Sequence, residues 1–72
     1  MTNVFTNEHA TINGRNVWLH VVSTDFGNIF IVQHENEDME VITKLFFNDL
    51  DEAELVYRRE VKSLLYREFN VV

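Results

Sequence analysis

Asn13-Gly14 constrains this chain more than any other feature in it. A two-residue hairpin of type I′ needs positive φ at both central positions, and Asn-Gly meets that need with little strain. The dipeptide separates residues 4–12 from residues 15–24, two stretches rich in β-branched and aromatic side chains. The two stretches are therefore expected to pair as antiparallel strands. Asp25-Phe26-Gly27-Asn28 supplies a second turn, and Ile29-Phe30-Ile31-Val32-Gln33-His34 reads as a third strand over 29–34. Glu35-Asn36-Glu37-Asp38 is a polar loop, after which 39–47 reads as a fourth strand. Three short connections in succession imply an antiparallel meander.

The period then changes from two to about 3.6. Leu50, Ala53, Tyr57, Val61, Leu64 and Leu65 recur at spacings of three and four, which predicts an amphipathic helix over 49–69. Asn48 or Asp49 is the expected N-cap, with Glu52 three residues after Asp49 as in a capping box. Asp49, Asp51, Glu52 and Glu54 crowd the helix start, while Arg58, Arg59, Lys62 and Arg67 follow in its later turns. That order complements the helix dipole and sets up pairs such as Glu54 with Arg58. The expected fold class is α+β: a four-stranded antiparallel meander with one C-terminal helix packed on one face.

Seventy-two residues suit a single domain over 1–72. A domain of that size buries only about 60% of its unfolded surface, so its stability is marginal. There is no cysteine to staple it, which excludes a disulfide and a thiolate zinc site. Extra stability would have to come from self-association or a partner. No apolar run approaches the length of a membrane span, and Met1-Thr2-Asn3-Val4 does not read as a signal peptide. The chain is expected in the cytoplasm and off the membrane. Twelve acidic residues against six basic ones give a formal net charge of −6, which argues against direct binding of a nucleic-acid backbone.

Side chains alternate along a strand, so the turns also assign the faces. One face is expected to collect Val17, Leu19, Val21, Phe30, Val32, Val41 and Leu45, a surface suited to the helix. The other collects Phe5, His9, Trp18, His20, Val22, Ile29, Ile31, Ile42 and Phe46, with Asn7, Gln33, Glu40 and Lys44 among them. One helix covers only one side of such a sheet. The second face is left open, and an exposed apolar patch of that kind marks an interface. Trp18 is the natural anchor. The expected partner-binding residues are Trp18, His20, Ile31, Ile42 and Phe46, joined by the acidic Glu37, Asp38 and Glu40.

Catalytic and metal chemistry find no support. His9, His20 and His34 lack the paired spacing of a metal site and read as half-exposed strand histidines. Ser23 and Ser63 have no visible base beside them, and both glycines, Gly14 and Gly27, fall in turns rather than in a phosphate loop. No cofactor is implied and no enzymatic activity is expected. Glu35, Glu37, Asp38 and Glu40, followed by Asp49, Asp51, Glu52 and Glu54, leave one alternative open. Rows of carboxylates can imitate phosphates spaced about 3.4 Å apart along a DNA strand, so the chain could block a nucleic-acid-binding defence protein. A small structural homodimer, sheet face on sheet face, is the other alternative.

A short acidic chain without cysteine, with a β-meander leading into Asn48-Asp49-Leu50-Asp51-Glu52-Ala53, resembles small bacteriophage proteins that bind host RNA polymerase. The resemblance covers architecture and carries over no functional residue. It implies a non-catalytic regulator of phage or mobile-element origin, acting in transcription inhibition or antitermination on a host protein.

Overall fold

The computed structural model describes residues 3–69, apart from the side chains of 67–69. Four strands, β1 (Asn3–Ile12), β2 (Arg15–Thr24), β3 (Gly27–Glu35) and β4 (Val41–Phe47), precede one helix, α1 (Leu50–Phe69). The strands form one open antiparallel sheet in the order β1-β2-β3-β4. This is the α+β architecture that the turns and the change of period predict. The side chain of Arg67 lies outside the described residues.

The turns show how the register is set. Asn13 and Gly14 have φ of 52° and 83°, and Ile12 pairs with Arg15 across them. The second turn is tighter than expected. Asp25-Phe26 alone connects Thr24 to Gly27, and Thr24 Oγ1 donates to Gly27 O at 2.7 Å while accepting from Phe26 N. The third is wound around Asn36. Its Oδ1 accepts from the backbone N–H of Asp38 and of Glu40, at 2.9 and 3.0 Å. That wrapping puts Met39 at φ 66°, so Met39 and Glu40 belong to the turn and β4 begins at Val41.

The core lies between the helix and the two central strands. Val17, Leu19 and Val32 are fully buried, and Ile12, Phe30, Ala53, Tyr57 and Leu64 complete the buried cluster. Ala53 is also fully buried, which marks a close approach of helix to sheet. Asp49 caps α1 by accepting from Asp51 N at 3.2 Å, and the first helical bond runs from Ala53 N to Asp49 O. Glu54 pairs with Arg58 at 3.6 Å, as the spacing suggests. Leu50 and Leu65, expected in the buried stripe, are exposed instead; Val56 and Val61 pack against the cluster.

Two bulges change the face assignments. In β1 the register slips between Thr6 and Glu8, leaving Asn7 as an extra residue. One extra residue reverses the parity of the strand. Phe5 therefore pairs with Val21 on the helix side, not on the open face, and it stays exposed there. Glu8 pairs with Leu19 on the same side, beside Tyr57. Burial and the Glu8 carboxylate together raise the Tyr57 pKa above its ordinary 10.0. In β4, Glu35 pairs with Val41 while His34 pairs with Thr43, which leaves Ile42 as the extra residue. Val41 thus joins Glu35 on the open side rather than facing the helix.

His34 also departs from expectation. It is 6% exposed, on the helix side between Val17 and Thr43, with its Nδ1 3.7 Å from Glu60 Oε2. Its place follows from alternation with Phe30 and Val32 on β3.

Truncating the centre of this core should cost a large share of the stability. Leu19→Ala is expected to lose about 2–5 kcal/mol, read as a shift of the urea unfolding midpoint. Truncation of exposed Leu55 should leave the midpoint nearly unchanged.

Candidate interaction surface

The open face consists of four cross-strand rows. Thr11, Asn16, Glu35 and Val41 form the first, and His9, Trp18, Gln33 and Lys44 the second. Thr6, His20, Ile31 and Phe46 form the third, and Val4, Val22 and Ile29 the fourth. The rows nearest Asn13-Gly14 are polar and aromatic. Those nearest Asp25-Phe26 become apolar.

Trp18 sits at the centre of the polar half and is held from three sides. The ring of His9 stacks on it at 3.6 Å with an interplanar angle of 2°. His20, two residues along β2, stacks on it more loosely at 5.4 Å. Its indole Nε1 donates to Glu35 Oε1 at 2.8 Å. Glu35 is held in turn by Gln33 Nε2, 3.4 Å from its Oε2. Asn16 Oδ1 accepts from Thr11 Oγ1 at 2.8 Å and lies 2.9 Å from His9 Nε2. Thr6 Oγ1 lies 3.3 Å from His20 Nδ1. The result is an aromatic stack braced by hydrogen bonds across three strands. An indole fixed in this way loses little further freedom when a partner covers it.

The apolar half is less covered. Val4 is 64% and Phe46 63% exposed, and Ile29 is also exposed. Lys44 Nζ lies 5.9 Å from the Phe46 ring centre. Phe26, at the tip of the second turn, is fully exposed.

Of the residues expected to bind a partner, Trp18, His20, Ile31 and Phe46 come together in adjacent rows. Ile42 stands at the β4 bulge, exposed and outside the regular alternation. Glu37, Asp38 and Glu40 lie in the turn before β4, and Glu37 pairs with Arg15 at 3.2 Å. The carboxylates at the start of α1 stand at the far end of β4, about 20 Å away at strand spacing. The two acidic groups are not one continuous row.

Gln33, expected on the open face, braces the site together with Glu35 and Asn16, which were not expected there. The period-two series Ile31-Gln33-Glu35 was the available signal, because it carries the third strand one residue past His34. Among the described residues no cluster of His, Asp and Glu could hold a metal ion, and no helix is long and apolar enough to cross a membrane. Comparison with protein-family models, with curated proteins and with solved structures finds no match for this chain.

Burial lowers the His20 pKa from its ordinary 6.5; the Glu35 carboxylate opposes this, and Lys44 and His9 reinforce it. The unfolded chain then binds the His20 proton more readily than the folded one. Stability from this group is full above 6.5 and is lost as the pH falls through the folded value. His20→Gln should flatten that part of the profile. Urea midpoints between about pH 8 and about pH 5 test it, and equal slopes for the variant and the parent chain would refute it.

Proposed function

We propose that this chain is a non-catalytic protein-binding domain that docks its partner on the open sheet face, with Trp18 as the anchor. The observation that carries this reading is a braced indole beside a row of exposed apolar side chains that no element of the described chain covers. Interface energy concentrates on such residues: a rigid aromatic group ringed by contacts that exclude water.

A nucleic acid is the other occupant that an aromatic sheet face suggests, since bases stack on exposed rings. Such faces pair their aromatics with Lys and Arg for the phosphates. Here Lys44 is the only Lys or Arg in the four rows, and the whole chain carries a net charge of −6. The charge favours a protein. A DNA-mimic role is supported less well, because the acidic groups are split between two ends of the sheet and Glu37 is paired with Arg15. The finer reading rests on the resemblance to small phage proteins: a phage or mobile-element regulator whose partner is the host RNA polymerase.

Immobilised chain should retain purified bacterial RNA polymerase, and Trp18→Ala should lower capture by roughly tenfold or more. Matching urea midpoints would confirm that the variant is folded. Polymerase retained equally by both chains would remove the Trp18 face from the account. Polymerase retained by neither, with another protein captured in a Trp18-dependent way, would keep the face and discard the polymerase.

A further inference from the structure

We infer that the outer edge of β4 is a strand-addition site for an extended protein segment, apolar in its middle and carrying Lys or Arg at both ends. β1 and β4 are the two edges of the sheet, so each has an outer row of backbone N–H and C=O groups with no strand beside it among the described residues. Proteins blunt such edges with bulges, charges and proline. β1 is blunted in its middle, where Asn7 bulges out between polar Thr6 and Glu8, and its exposed large apolar residues are confined to Val4 and Phe5 at its start. β4 is not. Its irregularity is at one end, and Thr43–Phe47 pair regularly with β3. Leu45 on the helix side and Phe46 on the open side are both exposed, at 42% and 63%, and Val41 and Ile42 are exposed before them. Lys44 is the only charge in the strand.

A segment added here would gain ladder hydrogen bonds from the edge and apolar contacts on both faces. Charge selects among the candidates. Glu37, Asp38 and Glu40 precede β4, and Asp49, Asp51 and Glu52 follow it. A second copy of β4 added antiparallel would bring the acidic turn of one chain beside the acidic helix start of the other, which like-charge repulsion opposes. A partner strand with basic ends meets acid at both ends instead. Opposite Lys44 it would carry a residue without positive charge. β4 has seven residues, and the matching segment is of similar length.

This site is separate from the Trp18 anchor, although Phe46 belongs to both surfaces. The test uses the full chain, isotope-labelled, and two synthetic peptides with a middle of valine and isoleucine, one with lysines at both ends and one with glutamates. The lysine-ended peptide should bind about tenfold tighter or more, and amide exchange should slow in β4 but not in β1. Leu45→Thr combined with Phe46→Thr should weaken binding about tenfold while keeping the fold, because both positions are exposed. Trp18→Ala should bind the peptide as the parent chain does. No binding, equal binding of the two peptides, or protection of β1 would overturn the proposal. So would a concentration-dependent dimer mass with the same β4 amides protected, which would assign the edge to a second copy. Peptide binding lost while Trp18-dependent capture persists refutes the edge alone, and the reverse pattern refutes the face alone.

Discussion

The buried apolar cluster of this chain is one seam, formed where Ala53, Tyr57 and Leu64 of α1 meet Val17, Leu19 and Val32 of the central strands. A helix with its side chains is about 10 Å wide, and four strands at about 4.8 Å spacing are wider than that. The helix therefore covers β2 and β3 and leaves the outer strands partly bare even on its own side. Phe5 on β1 and Leu45 on β4 show it: both face the helix layer, and both are exposed. The open face, the exposed edge and the small core all follow from having one helix for four strands.

The seam is not purely apolar. His34 and Glu8 both enter it, and His34 Nε2 and Glu8 Oε2 are buried without a hydrogen-bond partner among the described residues. A buried polar atom left unpaired costs about 1–3 kcal/mol. In a domain of this size that is a noticeable share of the stability. Glu8 is in the seam, and His9 lies opposite Trp18, because the Asn13-Gly14 turn sets the register of β1 without a break as far back as Glu8; the Asn7 bulge shifts only the residues before it. One turn thus builds the aromatic stack on the open face and places a carboxylate beside Tyr57 on the other.

The sequence made most of the fold legible because its strongest local signals are also structural constraints. Asn13-Gly14 leaves the backbone few alternatives, and the change of period at Asn48 needs no tertiary context to be read. The register of β2 against β3 followed, and with it the grouping of Trp18, His20 and Ile31. The bulges did not, because an extra residue in a strand leaves no mark in composition, and Phe5 and Val41 changed face as a result. Met39 looks like a strand residue by type, yet Asn36 claims its segment through two side-chain hydrogen bonds. The bracing of Trp18 was hidden for another reason. Glu35 reads as the first residue of a polar loop until pairing with Asn16 shows that it is the last residue of β3.

The division of charge bears on how a partner would be met. Several of the twelve acidic groups already have structural tasks: Asp49 caps α1, Glu54 faces Arg58, Glu37 faces Arg15 and Glu35 accepts from Trp18. Within the rows of the open face Lys44 offsets Glu35, so the contact surface itself is close to neutral while its ends are acidic. For a partner docking there, the two regions act on different quantities. The braced Trp18 and the apolar rows resist separation once water is expelled, which sets the lifetime of the complex. The acidic ends act before contact, by attracting a basic surface over about a Debye length, and so set the rate of encounter. Added salt should then slow association far more than it hastens dissociation, because the screened charges lie at the rim and the unscreened contacts at the centre.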